Sequence, residues 1–303
     1  MAVRRVDTLL AAFEKHLGTV GGATLQTRRE YTRYAREYLE DRHGETVDVA
    51  RLHAADLIDF VAKRAARCAA GTAKLVATSL RSFLRFLQMK GLCDPRLVAA
   101  IPTVPNWKLA RLPKALTDDQ LRALLDAFDR GSATGCRDYA MALCLSLLGL
   151  RAGEVARLTF DDIDWRVGTL RIVVGKARRD GILPLPVKVG RAIVAYLRRG
   201  RPSTDQRRVF VRHRVAAGGP LSSSAVCSAI RRAFARSRAQ GVRSKGTHAL
   251  RHTAATRMLR AGASLKDLAD VLRHRSLDTT MIYSKVDLVR LAAVALPWPG
   301  ARS

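Results

Sequence analysis

Acidic residues are scarce in this chain of 303 residues: 26 Asp and Glu stand against 54 Lys and Arg, which gives a formal charge of +28. Lysine is scarce too, because 43 of the 54 basic residues are Arg and only 11 are Lys. So large a charge exceeds what solubility requires and indicates a polyanionic partner. Arg binds phosphate through a planar, bidentate fork, so the expected partner is nucleic acid rather than a membrane surface.

Long hydrophobic runs, a signal peptide and cysteine pairs are also lacking. The longest apolar stretch, 139–150 (YAMALCLSLLGL), is too short to cross a bilayer. The amino terminus, MAVRRVDTLLAAFEKHLG, carries charges within its apolar region and no cleavage pattern, so we expect a cytoplasmic protein without membrane contact. Five cysteines without CxxC spacing predict reduced, packed residues and no metal or cofactor.

What is present is enough apolar residue content, 48%, for a core in each of two domains. Residues 1–105 are predicted to be helical, and three prolines between 101 and 113 break any helix there, so we expect a linker over 106–115 and a second domain over 116–303. The second domain is predicted to start a helix at the capping box of Thr117 and Gln120. Its main β signals are 169–174 and 182–185, followed by a short strand at 208–211. The predicted fold is mainly α with a small antiparallel sheet.

Two helices of the first domain carry basic stripes opposite apolar ones. In 27–40 the tyrosines at 31, 34 and 38 share one stripe, and in 72–90 apolar residues do the same. A solvated basic surface explains one such helix as well as DNA contact does, but two of them favour phosphate contact. The candidate DNA-binding residues are Arg29, Arg33, Arg36, Lys74, Arg81 and Arg85.

Candidate catalytic residues lie in the segment THALRHTAAT and after it. His248 and Arg251 are three residues apart, so they share a helix face and can converge on one small anion. His248 and His252 have the spacing of a zinc pair, but no further ligand accompanies them at ligand spacing. Tyr283 follows a polar run and an upstream His/Arg cluster, although ordinary packing explains a tyrosine equally well on these grounds.

Five local motifs, taken in order, resemble the tyrosine recombinase (phage integrase) family, most closely its Xer-type bacterial members. They are GLRAGEV around Arg151, VVGKARRDGILPLP around Lys176, THALRHTAAT around His248 and Arg251, LRHRS around His274, and DTTMIYSKV around Tyr283. The resemblance covers nearly the whole chain and implies a two-domain DNA clamp, with a core-binding domain before a catalytic domain. Two positions depart from the family pattern, since Arg273 and Ala177 stand where glycine is usual. The Arg273 change either shifts the loop that holds His274 or adds a phosphate contact.

The resemblance implies a role for each matched residue. Arg151 and Arg251 would clamp the phosphate oxygens, and Tyr283 would form a 3′-phosphotyrosine bond. Lys176 would protonate the departing 5′-oxygen. His248 and His274 would bind the phosphate or assist proton transfer, and Glu154 would orient the site.

The sequence therefore predicts a metal-independent, site-specific recombinase that acts on double-stranded DNA as a tetramer assembled through its C-terminal segment. Chromosome-dimer resolution, integration of a mobile element and transposition all fit this chemistry. One alternative is a type IB topoisomerase-like activity on a single duplex. The other is an architectural DNA-binding protein whose catalytic residues are idle.

Overall fold

The computed structural model describes residues 3–105, 114–173, 181–273 and 280–286. The chain divides into two compact units, Met1–Trp107 and Lys108–Ser303. Helices predominate in both units and the sheets are small and antiparallel, which confirms the predicted fold class. Within the described part of the chain, no helix is long and apolar enough to cross a membrane.

The first unit is a helical bundle with a minimal two-stranded ribbon. Its elements are β1 (Arg4–Arg5), α1 (Val6–Thr19), α2 (Leu25–His43), β2 (Thr46–Val47), a 3₁₀ turn (Val49–Arg51), α3 (Ala54–Arg67), α4 (Ala70–Met89) and α5 (Leu97–Ala100). Phe13 of α1 meets Phe83 of α4 edge to face at 5.2 Å between ring centroids. Tyr34 and Tyr38 of α2 are buried as their stripe predicts, and Tyr31 is half-buried.

The second unit holds the remaining helices and a three-stranded sheet. Its elements are α6 (Asp118–Asp126), α7 (Ala133–Leu147), α8 (Ala152–Arg157), a 3₁₀ turn (Phe160–Asp162), β3 (Ile163–Asp164), β4 (Thr169–Ile172), β5 (Gly181–Pro184), α9 (Val187–Arg199), α10 (Ser223–Arg236), α11 (Thr247–Arg260), α12 (Leu265–Val271) and a 3₁₀ turn (Met281–Val286). The predicted capping box is confirmed: the Gln120 N–H donates to Thr117 Oγ1 at 3.2 Å, and the Thr117 N–H donates to Gln120 Oε1 at 3.0 Å.

Helix α7 forms the centre of the second unit. It is buried along almost its whole length, from Cys136 to Ser146, and α9, α10 and α11 pack against it. A helix buried on all sides needs apolar residues on all sides, which is why its sequence from residue 139 onward is a nearly continuous apolar run rather than a stripe. The two buried charges before that run, Arg137 and Asp138, pair with each other at 2.7 Å. Packing against α7 fixes the position of α11. Helix α11 carries the candidate residues His248 and Arg251.

The sheet has the order β3–β4–β5, and all pairs are antiparallel. Ile172 of β4 opposes Gly181 of β5, so β4 ends two residues before the predicted end at 174, which lies outside the described residues. The predicted strand at 208–211 was wrong. Its two ends bridge different segments, Arg208 to Thr159 and Val211 to Pro220, so no continuous ladder forms.

Candidate active site

Arg151 is positioned by the sharp turn that begins α8. Gly149 has a φ of +64°, and a Cβ added there would lie 2.8 Å from Leu272, so only glycine fits this turn. Glu154, one helical turn on, accepts the Arg151 backbone N–H at 2.8 Å through Oε2 and the Arg151 Nη1 at 2.8 Å through Oε1. The Glu154 side chain is only 2% exposed, whereas that of Arg151 is 26% exposed. Glu154 therefore fixes the orientation of an arginine whose guanidinium reaches the surface.

Arg251 is brought to the same place by α11. Its guanidinium donates through Nη1 to the carbonyl of Gly149 and through Nη2 to the carbonyl of Leu272, at 2.5 Å for the latter. It thereby joins α11 to the turn before Arg151 and to the end of α12. Desolvation, together with the charge of Arg151, lowers the pKa of Arg251 to about 10, so the side chain remains cationic at neutral pH.

Arg273 adds a third guanidinium, which motif comparison treated only as a departure from glycine. Its side chain is 2% exposed and donates through Nη2 to Glu154 Oε2 at 2.8 Å, while Nη1 donates to the Val271 carbonyl at 2.7 Å. The Arg273 carbonyl accepts from Arg151 Nη2 at 3.3 Å. Its φ of 51° is the left-handed conformation that glycine adopts without strain, so the backbone here is one that favours glycine although the residue is arginine.

One carboxylate thus lies among three guanidiniums. Burial alone raises the pKa of Glu154, but the charge of Arg273 and the charge and hydrogen bonds of Arg151 outweigh it and hold that pKa below its ordinary value. Glu154 is therefore ionised at neutral pH. Of the charges on these four side chains, two positive ones are left over, and they suit a phosphate group.

Tyr283 lies in the 3₁₀ turn Met281–Val286, which packs on α11 and α12. Its ring is 2% exposed and belongs to a small apolar cluster with Leu259, Leu268 and Leu272. The phenol Oη lies 2.6 Å from Nδ1 of His252. Burial raises the pKa of Tyr283 to about 12, against the opposing charge of Arg251. The phenol is therefore protonated, and it lies within the electrostatic reach of the arginine cluster.

The two histidines of α11 differ in what they face. Desolvation and the charges of Arg251 and Arg151 lower the pKa of His248, which shares a face of α11 with Arg251. Desolvation, then the charges of His248, Arg251 and Lys114, lower the pKa of His252 to about 4. His252 is therefore neutral and accepts the hydrogen bond from Tyr283. Its only sequence signal was the zinc-like spacing from His248. Among the described residues, no group of three or more His, Cys, Asp or Glu is placed to hold a metal ion.

The structure therefore gathers five of the predicted site residues in one place: Arg151, Glu154, His248, Arg251 and Tyr283. Lys176 follows β4 in the sequence and His274 follows Arg273, and both lie outside the described residues. The five cysteines are free thiols, two of them buried (Cys136 and Cys144) and three half-buried.

The predicted DNA-binding residues lie on α2 and α4 of the first unit and differ in their partners. Arg33 donates to Glu37 at 3.0 Å. Arg36 pairs with Asp7 at 2.7 Å and with Glu40 at 3.1 Å. The set also includes Arg29, Lys74 and Arg85, which are exposed, and Arg81, which donates to the carbonyls of Ile101 and Pro102 at 3.0 and 2.9 Å. The pairing of Arg33 and Arg36 with acids was not anticipated from the stripes.

A mainly helical unit that holds two arginines on one buried carboxylate, with a histidine–tyrosine pair beside a third arginine, has the site expected of a tyrosine recombinase. The chain belongs to the phage integrase family, whose model matches residues 114–289. It is 45% identical over 298 residues to the putative integrase/recombinase y4rA of Sinorhizobium fredii, covering 97% of this chain and 72% of that protein. It is 32% identical to the tyrosine recombinase XerD of Mycobacterium tuberculosis, with 96% of each chain covered.

Solved structures share the fold. The XerH site-specific recombinase, in its post-cleavage complex with a palindromic difH substrate, superposes with a TM-score of 0.71. The match covers 96% of this chain and 85% of that one at 19% sequence identity. The expected family, Xer-like type and enzyme class are therefore confirmed, and the chain is a site-specific recombinase of the tyrosine type.

Proposed function

We propose that the protein cuts and rejoins duplex DNA through a 3′-phosphotyrosine intermediate formed on Tyr283, without a metal ion. The single observation that carries this proposal is the position of the Tyr283 phenol. It is hydrogen-bonded to His252 of α11 and lies within reach of the charge of Arg251, whose guanidinium also holds the turn into Arg151. A nucleophile and two cations from distant stretches of the chain therefore meet within one unit.

Charge explains why these groups suffice for phosphoryl transfer. A phosphodiester under attack places negative charge on its non-bridging oxygens, and catalysis consists mainly of positioning and of stabilising that charge. Arg151 reaches the surface while Glu154 holds it, and Arg251 keeps three N–H groups beyond the two that bind backbone carbonyls. In the reaction, the bond from Tyr283 Oη to phosphorus forms and the bond from phosphorus to the 5′-oxygen breaks.

The remaining predicted residues take supporting roles in this proposal. Lys176 protonates the departing 5′-oxygen, and His248 and His274 bind the phosphate. Glu154 acts by orienting Arg151 and does not touch the phosphate. The acid–arginine contacts at 2.8 Å support that role.

DNA contact and assembly extend the proposal to the whole chain. The first unit (predicted as 1–105) would contact the DNA backbone through the exposed bases of α2 and α4, and the second (116–303) would cut, so that the two clamp the duplex. Four protomers would pair two sites through the segment after Tyr283, which lies outside the described residues beyond 286. The DNA-bound structure of the relative XerH supports a DNA partner.

Trapping a covalent adduct tests the nucleophile. A binding site is first selected from a random-sequence DNA pool, then built into a suicide duplex whose nick lets the cut end escape. On a denaturing gel, wild type should form a protein–DNA adduct in the presence of EDTA, and Tyr283→Phe should form none. Tyr196→Phe is the matched control, because Tyr196 is also buried in the second unit with its hydroxyl near a histidine. Equal adduct from Tyr283→Phe would reject the assignment.

The same reagents separate the alternatives. Relaxation of a supercoiled plasmid that lacks the selected site, at monomer concentrations, would indicate topoisomerase-like activity instead. Tight, salt-sensitive binding without adduct at any site would indicate an architectural protein.

A further inference from the structure

The family resemblance assigns no role to His252, yet the His252 ring is in hydrogen-bond contact with Tyr283, the proposed nucleophile. We propose that His252 takes the phenol proton of Tyr283 during strand cleavage and returns it during rejoining. This inference rests on the proposed function of Tyr283. It assigns the proton transfer to His252, whereas the family resemblance offered His248 or His274 for it.

Helix geometry separates His252 from Arg251. His252 follows Arg251 directly and so points about 100° away from it around α11, whereas His248, four residues before His252, lies between the two directions. The turn Met281–Val286 packs on α11 and brings Tyr283 to His252. The distance from His252 Nδ1 to Tyr283 Oη is 2.6 Å, and the ring centroids are 5.5 Å apart. A general base must lie within hydrogen-bond reach of its proton, and His252 does.

The protonation states fit an acceptor. A neutral imidazole offers one unprotonated nitrogen, and the low pKa of His252 together with the high pKa of Tyr283 makes Oη the donor and Nδ1 the acceptor. In the resting protein the proton therefore stays on the phenol. As Oη bonds to phosphorus, the phenol oxygen loses its affinity for the proton, while the nearby phosphate charge favours a cationic imidazole.

The proton balance is complete in both directions. In cleavage the Oη–P bond forms, the proton of Oη moves to Nδ1, the bond from phosphorus to the 5′-oxygen breaks, and that oxygen receives a proton from Lys176. In rejoining the 5′-hydroxyl attacks phosphorus and gives its proton back to Lys176, the Oη–P bond breaks, and Nδ1 returns its proton to the phenolate. His252 therefore acts in both half-reactions.

Two substitutions separate proton transfer from simple hydrogen bonding. His252→Asn keeps an acceptor near the place of Nδ1 but cannot take the proton, and His252→Phe keeps a ring without an acceptor. Single-turnover adduct formation at saturating DNA should fall at least about 10²-fold in both variants, which is the ordinary contribution of a general base. Rejoining of a preformed adduct after addition of the complementary strand should fall by a similar factor. DNA affinity and thermal midpoint should remain near those of wild type in the Asn variant.

The matched control is His213, which forms another His–Tyr contact in the second unit, with Nε2 at 3.3 Å from Tyr196 Oη. His213→Asn should cleave at the wild-type rate. If His252→Asn cleaves at the wild-type rate and only His252→Phe is slower, His252 acts as a hydrogen-bond acceptor alone and the proposal is overturned. Faster cleavage in both variants would overturn it as well. Absence of adduct from the wild type itself would instead reject the function proposed for Tyr283.

Discussion

Replacing Arg273 by alanine and, separately, by glycine distinguishes two opposing energies at the end of α12. The side chain forms a buried ion pair with Glu154, in which both partners are 2% exposed. The backbone has a φ of 51°, which strains every residue except glycine. Alanine removes the ion pair and keeps the strain, whereas glycine removes both.

The structure sets the size of each effect. Removing one partner of a buried ion pair costs about 3–5 kcal/mol. The lower end applies here, because Glu154 still accepts hydrogen bonds from the backbone N–H and the guanidinium of Arg151. Relief of a left-handed non-glycine residue returns about 1 kcal/mol. Arg273→Ala should therefore lose about 3 kcal/mol of unfolding free energy and Arg273→Gly about 2 kcal/mol. In a unit of this size, 1 kcal/mol of unfolding free energy shifts the thermal midpoint by about 2–4 °C. The alanine variant should therefore unfold about 2–4 °C below the glycine variant.

Calorimetry of the full-length chain measures these midpoints, and a double substitution checks their origin. Because Arg273 and Glu154 share the bond, the loss in Arg273→Ala with Glu154→Gln should be clearly smaller than the sum of the single losses. Identical midpoints for the alanine and glycine variants would contradict the strain argument. A glycine variant as stable as wild type, or more so, would show that the ion pair contributes no more than the strain that glycine relieves, about 1 kcal/mol.

Three further predictions rest on pKa shifts and on the exposure of basic side chains. The pKa of Glu154 is lowered in the folded protein, so the ionised carboxylate stabilises the fold at pH values above its ordinary pKa. That stabilisation is lost as pH falls through the pKa of the folded state. Denaturation curves of Glu154→Gln should lack this loss of stability at acid pH. Folding lowers the pKa of His252 from 6.5 to about 4, so between these pH values the unfolded chain holds a proton that the folded chain does not. The free energy of unfolding should therefore rise with pH across that interval. Its dependence on pH should be weaker in His252→Phe. Lys74→Ala and Arg85→Ala should each reduce the slope of log DNA affinity against log salt concentration by about 1, because both side chains are exposed. Unchanged slopes would remove these two residues from the DNA interface. Arg81→Ala should chiefly lower stability, because the Arg81 guanidinium binds backbone carbonyls.

Local signals predicted local structure well in this chain. The capping box at Thr117 and the period of apolar residues depend on neighbours within four residues, and the structure confirms the helices they indicate. The segment 208–211 shows the limit of such signals. Its β-branched and aromatic residues suit a strand, but its pairing partners belong to separate segments that no local pattern specifies.

The site was predictable where motifs fix residue types and unpredictable where packing fixes contacts. Arg151, Glu154, His248, Arg251 and Tyr283 were all named from motifs, and they meet in one unit. The contact between Tyr283 and His252 joins positions 31 residues apart, and it exists because a 3₁₀ turn packs on α11. Helical spacing from His248 draws attention to a metal ligand rather than to a partner for tyrosine.

Arg273 shows how one substitution is accommodated beside a catalytic cluster. The motifs left two alternatives, a shifted loop that holds His274 or an added phosphate contact. The structure shows that the side chain binds the Glu154 carboxylate, and the loop lies outside the described residues. Its charge therefore acts on Glu154, which also holds Arg151. Burial and the neighbouring Arg151 lower the pKa of Arg251 to about 10, so the positive charges of this cluster repel one another. In the proposed reaction, a phosphodiester would relieve that repulsion on binding, and the negative charge that grows during attack would relieve it further. Arginines held in place before DNA arrives would therefore favour the transition state over the ground state.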